Sequence, residues 1–397
     1  MKDYRTLAPE DLRAYLAAQP SLAEKLGGSP SDWAIREVSD GNLNNVYLVS
    51  GSFGGVCCKQ SLPHVRVDPS WRMPLDRAAF EARYLRCITP YVGHQIPKLL
   101  HYDDVLFLIV MESLTGYQVL RGALNEGIAQ PGFSARIGEY LGHTAFHTSW
   151  LARRFEDVAP EMAAFSHNHA LIRITVDLIL TDPYRKGCSR NHWLAPELDD
   201  LVEALQSDKA LHVAVGHLQE RFLSAPEALL HGDLHTGSIM LRGDDVRVID
   251  GEFALYGPVG FDAGLYIGNL LLHGLACPEH ADWMRDEIIE FWRAYKTIYS
   301  EQRRAYLNHG DVQSLLDENT LPRELTRSFH GFMKDIAGFA GVEMIRRTIG
   351  YAQISDYDRC VDRPARADAM RDALQVGRSL ILEARQIETV EGLLAML

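Results

Sequence analysis

The amino-acid sequence predicts an α+β fold of two lobes, a β-rich N-lobe over residues 1–112 and a hinge with a mainly helical C-lobe over residues 113–397. Short apolar runs separated by Gly, Asn and Asp turns recur between Trp33 and Glu112, the pattern of hairpin-linked strands. From Phe133 onward apolar residues return at helical intervals instead. With 397 residues, 47% of them hydrophobic and 23% charged, the chain has the length for two lobes and the composition of a globular protein.

In chain order, Leu7, Leu12, Tyr15 and Leu16, then Leu22 and Leu26 after a break at Pro20, predict packing helix over residues 6–26. Ile35 and Val38 lead through Asp40-Gly41-Asn42-Leu43-Asn44-Asn45 to the apolar run Val46 to Val49, two strands and a turn. The turn reads as a plain hairpin, or as a loop whose backbone N–H groups, with the Asn44 amide, cover nucleotide phosphates. Its single glycine favours the plain reading. After a Gly-rich turn, Val56-Cys57-Cys58-Lys59-Gln60 is an apolar strand holding one lysine. A buried lysine is costly without an anion, so Lys59 calls for a phosphate or a carboxylate partner; the bland alternative is an edge lysine in solvent. Glu81, on the helix-forming run from Arg77 to Leu85, is the expected carboxylate.

Between strand and helix, three prolines make residues 63–74 an irregular loop. It has the length of a lid, with Trp71 and Arg72 covering a substrate, although loop tryptophans more often simply pack. Residues 97–102 and 105–112 are two more strands, the second apolar on both faces and so central, and its exit at Glu112, Ser113 and Leu114 offers backbone to an adenine edge. Beyond Phe133, helices are expected near residues 198–224, 264–276, 279–299, 322–352 and 364–388. His143 and His147, four apart on a helix, lack the Glu of a zinc-protease motif and read as packing residues. Arg346 and Arg347 are adjacent in an apolar helix and point roughly 100° apart, so at least one faces inward, where a guanidinium suits phosphate or sugar oxygens; the alternative is a surface pair in salt bridges.

The helical pattern is interrupted between Leu229 and Asp262. Leu229-Leu230 runs into His231-Gly232-Asp233-Leu234-His235-Thr236-Gly237-Ser238, and Val246 to Ile249 then delivers Asp250-Gly251-Glu252. Two acidic sites on neighbouring turns suit phosphoryl transfer from a nucleotide, which needs one carboxylate to orient and deprotonate an attacking hydroxyl and others to hold Mg²⁺ against the phosphates. Asp233 fits the first role. Asp250 and Glu252, two apart in a strand-like segment, face one side and fit the second. A net charge of −13 argues against a nucleic-acid footprint and leaves room for a local basic pocket that holds one small phosphate. No stretch stays apolar for roughly 18 residues and the start lacks a signal-like core, so the expectation is a cytoplasmic protein with no membrane partner. The six cysteines include no pair at zinc-ligand spacing and read as reduced thiols.

These motifs together resemble the S-methyl-5-thioribose kinase family of the protein-kinase-like superfamily. The resemblance runs from Asp40 to Asn44, through Lys59-Gln60, Ser70-Trp71, Arg77 and Glu81, and His231 to Ser238, to Ile345-Arg346-Arg347-Thr348-Ile349-Gly350. Ser238 is specific, since related small-molecule kinases usually have asparagine there, and Asp250-x-Glu252 in place of Asp-Phe-Gly is a second family mark. The resemblance implies a two-lobe protein-kinase-like fold and transfer of the ATP γ-phosphate to the anomeric hydroxyl of methylthioribose. It also implies a homodimer, and a nucleotide and Mg²⁺ site made by Asn44, Lys59 (with Glu81), Glu112, Ser113, Leu114, Asp250, Gly251 and Glu252. Asp233 would be the catalytic base and would contact the sugar, with Arg346 or Arg347 and the loop residues Trp71 and Arg72. Gly251 departs from an expected proline, which implies a looser backbone there. The rivals are a kinase of another small alcohol (aminoglycoside, choline or homoserine) and a non-catalytic nucleotide-binding protein.

Overall fold

The computed structural model describes residues 3–38, 43–66, 68–307, 309 and 316–397. The turn at Asp40, Gly41 and Asn42, one candidate phosphate cover, lies outside the described residues. The chain forms two compact units, Met1–Tyr117 with Arg247–Ala254, and Gln118–Val246 with Leu255–Leu397. The acid-bearing segment 247–254 thus counts with the first unit, although it lies in the half of the sequence read as the C-lobe.

In the first unit, helices α1 (Pro9–Ala17) and α2 (Pro20–Leu26) precede strands β1 (Ala34–Val38), β2 (Asn44–Ser50) and β3 (Gly55–Ser61), then α3 (Arg77–Val92), β4 (Leu99–Asp103) and β5 (Leu108–Glu112). Pro20 divides the predicted first helix, because proline fits the first turn of a helix but not its interior. The strands form one sheet in the order β1-β2-β3-β5-β4, with every neighbouring pair antiparallel. Side chains alternate across it. Val56 and Cys58 of β3 join Leu12, Leu16, Leu22 and Leu26 in one core, whereas Ala78 and Ala82 of α3 pack on Ile109 and Met111, with Cys57 beside them. Lys59, opposite Val46 and Ile109 in register, therefore points to the α3 face of a central strand.

The second unit opens with the short strand β6 (Gln118–Val119) and helices α4 (Leu120–Asn125), α5 (Phe133–His147), α6 (Phe155–Ser166), α7 (His169–Leu178), α8 (Asp199–Leu205) and α9 (Lys209–Ser224). Strands β7 (Ala228–Leu230), β8 (Ile239–Arg242), β9 (Asp245–Val248) and β10 (Leu255–Gly257) frame the acid-bearing loops, with the chain crossing from the second unit to the first within β9. Then come α10 (Gly260–Ala276), α11 (Ala281–Ala305), α12 (Leu321–Ile349), α13 (Arg363–Glu383) and α14 (Val390–Leu394). Gly264 and Gly268 of α10 let α12 approach closely: a Cβ on Gly264 would lie 2.9 Å from the Ile336 carbonyl oxygen, and one on Gly268 2.9 Å from that of Ala340. This close packing brings Asn269 of α10 to Glu343 of α12, a 2.8 Å hydrogen bond.

Candidate active site

Lys59 is the centre of the first unit's polar cluster. Its Nζ lies 2.7 Å from Glu81 Oε2 and 3.7 Å from Glu252 Oε1, and it donates a short hydrogen bond to Asp250. Burial opposes the charge on Lys59, but Asp250, Glu252 and Glu81 outweigh it and hold the ammonium well above its usual range. The same burial, reinforced by Asp250 and Glu252, raises Glu81 to about 7 against the pull of Lys59. Glu252 is itself clamped, accepting from Asn44 Nδ2 at 2.9 Å and from Arg77 Nε at 3.3 Å.

The reason Asp250 and Glu252 converge differs from the strand alternation read in the sequence. β9 ends at Val248, Asp250 takes a left-handed conformation at φ 72°, and Gly251–Phe253 is a 3-10 turn. A short polar residue tolerates that conformation better than most, and the reversal turns both carboxylates to Lys59. Gly251 also differs from its reading as a loosened position. A Cβ there would meet Tyr84 Cδ1 at 2.4 Å, and Tyr84 is buried on α3, so the glycine is a seat for a ring.

Sequence reading passed over Arg77 as a site residue, yet it is fully buried and ties this cluster together. Its Nη1 donates to the Leu62 and Pro74 carbonyls at 3.1 and 2.6 Å, and its Nη2 to the Leu43 carbonyl at 2.5 Å. Its signal in the sequence is the i, i+4 spacing to Glu81, which puts both on one face of α3. Asp250, Glu252 and the Asn44 amide oxygen are hard oxygen donors, and among the described residues three carboxylates here face two cationic side chains. That set fits Mg²⁺, with Asp250, whose side chain is 49% exposed, the more open ligand. Glu112, Ser113 and Leu114 lie at the exit of β5, where the Glu112 amide donates to the Lys98 carbonyl at 2.9 Å and the Leu114 carbonyl closes a turn onto Tyr117. Trp71 and Arg72 sit on a loop bonded to itself, Val65 N–H to Trp71 O and Met73 N–H to Pro63 O, both at 3.0 Å; Arg72 is exposed and Trp71 half-buried.

The second unit holds Asp233. β7 pairs with β10 and releases the chain at His231, where Gly232 takes φ 85°. Asp262, at the start of α10, accepts the His231 and Gly232 amides at 2.7 and 2.9 Å, and Ser238 Oγ donates back to the Asp233 carbonyl at 3.0 Å. The loop is fixed from both ends before any ligand arrives. Asp262 was within the stretch singled out by sequence, but only the structure assigns it this task.

Around the Asp233 carboxylate, Arg346 Nη2 donates at 3.2 Å and His235 Nε2 lies 3.5 Å away. Because His235 Nδ1 accepts the Gly237 amide at 2.8 Å, its proton is on Nε2, facing Asp233. Burial pushes His235 down to about 4, with Arg347 and Arg121 adding to it against the pull of Asp233. His235 is therefore neutral near pH 7. Burial also opposes ionisation of Asp233, but its neighbours hold it far below the usual carboxylate range. The strongest of these pulls is that of His235, by charge and by hydrogen bond, followed by Arg346 and Arg347; near pH 7, with His235 neutral, the positive charge beside Asp233 is that of the two arginines.

Both arginines face inward. Arg346 Nε donates to Glu343 Oε2 at 2.5 Å and Arg347 Nε to Glu343 Oε1 at 2.8 Å, so one carboxylate, one turn earlier, orients the pair; only Arg346 reaches Asp233 directly. Burial opposes the charge on Glu343, and the two arginines still hold it at about 2. Arg121 of α4 extends the network, donating to Asn269 Oδ1 at 2.8 Å and Thr236 Oγ1 at 3.1 Å. Glu343 has a signal in the sequence, its i+3 and i+4 spacing to the arginines; Arg121 and Asn269 have none, since only tertiary packing brings them here.

The family model described as Phosphotransferase enzyme family (APH) matches residues 34–311. Methylthioribose kinase of Escherichia coli is 35% identical, covering 98% of this chain and 97% of its own length. Methylthioribose kinase of Geobacillus thermodenitrificans is 39% identical over 94% and 93%, and methylthioribose kinase 2 of Oryza sativa subsp. japonica 34% identical over 98% and 94%.

Proposed function

The chain belongs to the methylthioribose kinase family of phosphotransferases, and on that premise we propose that it transfers the γ-phosphate of ATP to the 1-hydroxyl of S-methyl-5-thioribose, giving the 1-phosphate and ADP. The observation that carries the chemistry is Asp233, held ionised by Arg346 on a loop clamped by Asp262. So acidic a carboxylate is a weak base. Its part is to orient the sugar hydroxyl by accepting its hydrogen bond and to take the proton late, as charge moves toward the phosphoryl group. Arg346 offers the acceptor a second, forked contact.

On the nucleotide side, Lys59 and the Asn44 amide bind phosphate oxygens, Glu81 holds Lys59 in place, and the Glu112 to Leu114 backbone meets the adenine. Asp250 and Glu252 hold Mg²⁺, which when bound neutralises charge on the phosphates. Arg347, Trp71 and Arg72 complete the acceptor contacts in this reading. Among the described residues no helix is long and apolar enough to cross a membrane; the proposal places the enzyme in the cytoplasm as a homodimer, and sedimentation equilibrium tests the dimer. The reaction is tested by ADP release with ATP and Mg²⁺ across methylthioribose, ribose, an aminoglycoside, choline and homoserine. Turnover on methylthioribose alone supports it; turnover on another acceptor, or ATP binding with no turnover, overturns it.

A further inference from the structure

The end of α10 brings together three groups that the kinase chemistry leaves unused. His273 and Cys277 are four residues apart, and the 3-10 turn Pro278–His280 folds His280 back toward them. One ligand atom from each of His273, Cys277 and His280 lies within 4.8 Å of the others. His273 is fully buried, Cys277 is 1% exposed, and His280 is half-buried at the surface, which leaves a way in from solvent.

The polar contacts around these groups follow the logic of a metal site. His273 Nδ1 lies 2.8 Å from Asp356 Oδ1, and a carboxylate there accepts a hydrogen bond from Nδ1–H, fixes the ring and leaves the Nε2 lone pair pointing the other way. That Nε2 is 2.9 Å from His280 Nδ1. A plain hydrogen bond between the two rings would account for this pair, but not for the buried Cys277 thiol drawn up beside both of them. Two imidazoles and a thiolate are the wrong donors for Mg²⁺ and the right ones for zinc, which takes them tetrahedrally with a fourth position left over. Two nitrogens on one tetrahedral zinc stand about 3.3 Å apart, so His280 has to withdraw only a few tenths of an ångström, which its place on a surface turn allows.

We propose that His273, Cys277 and His280 form a zinc site, with Asp356 orienting His273. Binding ties the end of α10 to the 3-10 turn Ser355–Arg359. Asp356 also lies 3.7 Å from Arg121, so the site is joined through one ion pair to the network around Asp233.

Co²⁺ added to the full-length chain in Mg²⁺-containing buffer tests this by absorption, independently of turnover. The expected result is a thiolate-to-cobalt charge-transfer band at one equivalent, displaced by Zn²⁺, and lost in Cys277→Ser. Asp356→Asn should weaken zinc by about 10–100-fold, the usual cost of removing a partner that orients a ligand. His280→Ala, on the surface turn, should weaken it at least about tenfold and decides the matter if Cys277→Ser does not fold. No such band in the parent chain, a band that survives Cys277→Ser, or unchanged zinc affinity in His280→Ala overturns the site while leaving the kinase assignment intact.

Discussion

The two polar clusters solve opposite problems. Around Lys59, three carboxylates face a lysine and an arginine, and the excess of negative charge is left with Asp250 half exposed. Around Asp233, the carboxylates Asp233 and Glu343 meet Arg346 and Arg347 one for one, and Glu343 has no exposed surface. Among the described residues the first cluster is short of a cation and suits one that arrives with a ligand; the second is complete and keeps Asp233 ionised without one. An incomplete cluster tolerates substitution by rearranging around the incoming ion, whereas a complete buried one leaves an unpaired charge whenever a member is removed.

The largest effect should come from Asp233→Asn, which keeps the shape and removes the proton acceptor. Turnover should fall by about 10²–10⁴-fold, the usual worth of a positioned acid–base group, with ATP affinity nearly unchanged because the groups proposed to bind the nucleotide lie in the other cluster. Steady-state kinetics beside ATP titration calorimetry checks both halves, and full turnover in the variant would end the assignment of Asp233 as base.

Glu343→Gln sharpens the contrast through stability. It leaves two adjacent buried guanidinium groups without their shared carboxylate, a change of the kind that costs about 3–5 kcal/mol. Denaturant unfolding should show that loss, and Asp250→Asn, in the cation-hungry cluster, should show little or a gain in stability while weakening Mg²⁺-dependent turnover. Equal destabilisation by both would erase the distinction between a complete and an incomplete cluster.

Much of the first cluster was legible because its members sit at regular intervals: Lys59 as the lone cation of an apolar strand, Glu81 on a helix-forming run, Asp250 and Glu252 two apart. What failed was the cause of the last pairing, because a left-handed aspartate leaves no mark in an apolar pattern. The second cluster was half legible. Asp233 and the arginine pair stood out by type, while Asn269 and Arg121 depend on how closely α10 packs on α12, which is set by Gly264 and Gly268 and readable only once the helices are paired.

Gly251 carries the comparison down to a single side chain. If it serves as a seat for the Tyr84 ring, Gly251→Ala should cost about 1–3 kcal/mol, the usual range for an extra methyl group in a filled core, and Gly251→Ala with Tyr84→Leu should recover part of it. If it serves instead as a flexible joint, alanine should be neutral or stabilising. Thermal melts of the single and double variants separate the two.

The smallest effect is set by pH. His235 is neutral in the folded chain because burial holds it at about 4, while an unfolded chain protonates it near its ordinary value of 6.5. Between those values the unfolded state binds more protons, so stability is full above about pH 6.5 and declines as pH falls toward 4, by on the order of 2 kcal/mol from this group. His235→Asn keeps an acceptor for the Gly237 amide and removes the titration. Its melting temperature should therefore fall less than the parent's between pH 7 and 4.5, and matching slopes would mean that His235 is protonated in the folded chain and, with the arginines, helps to hold Asp233 ionised.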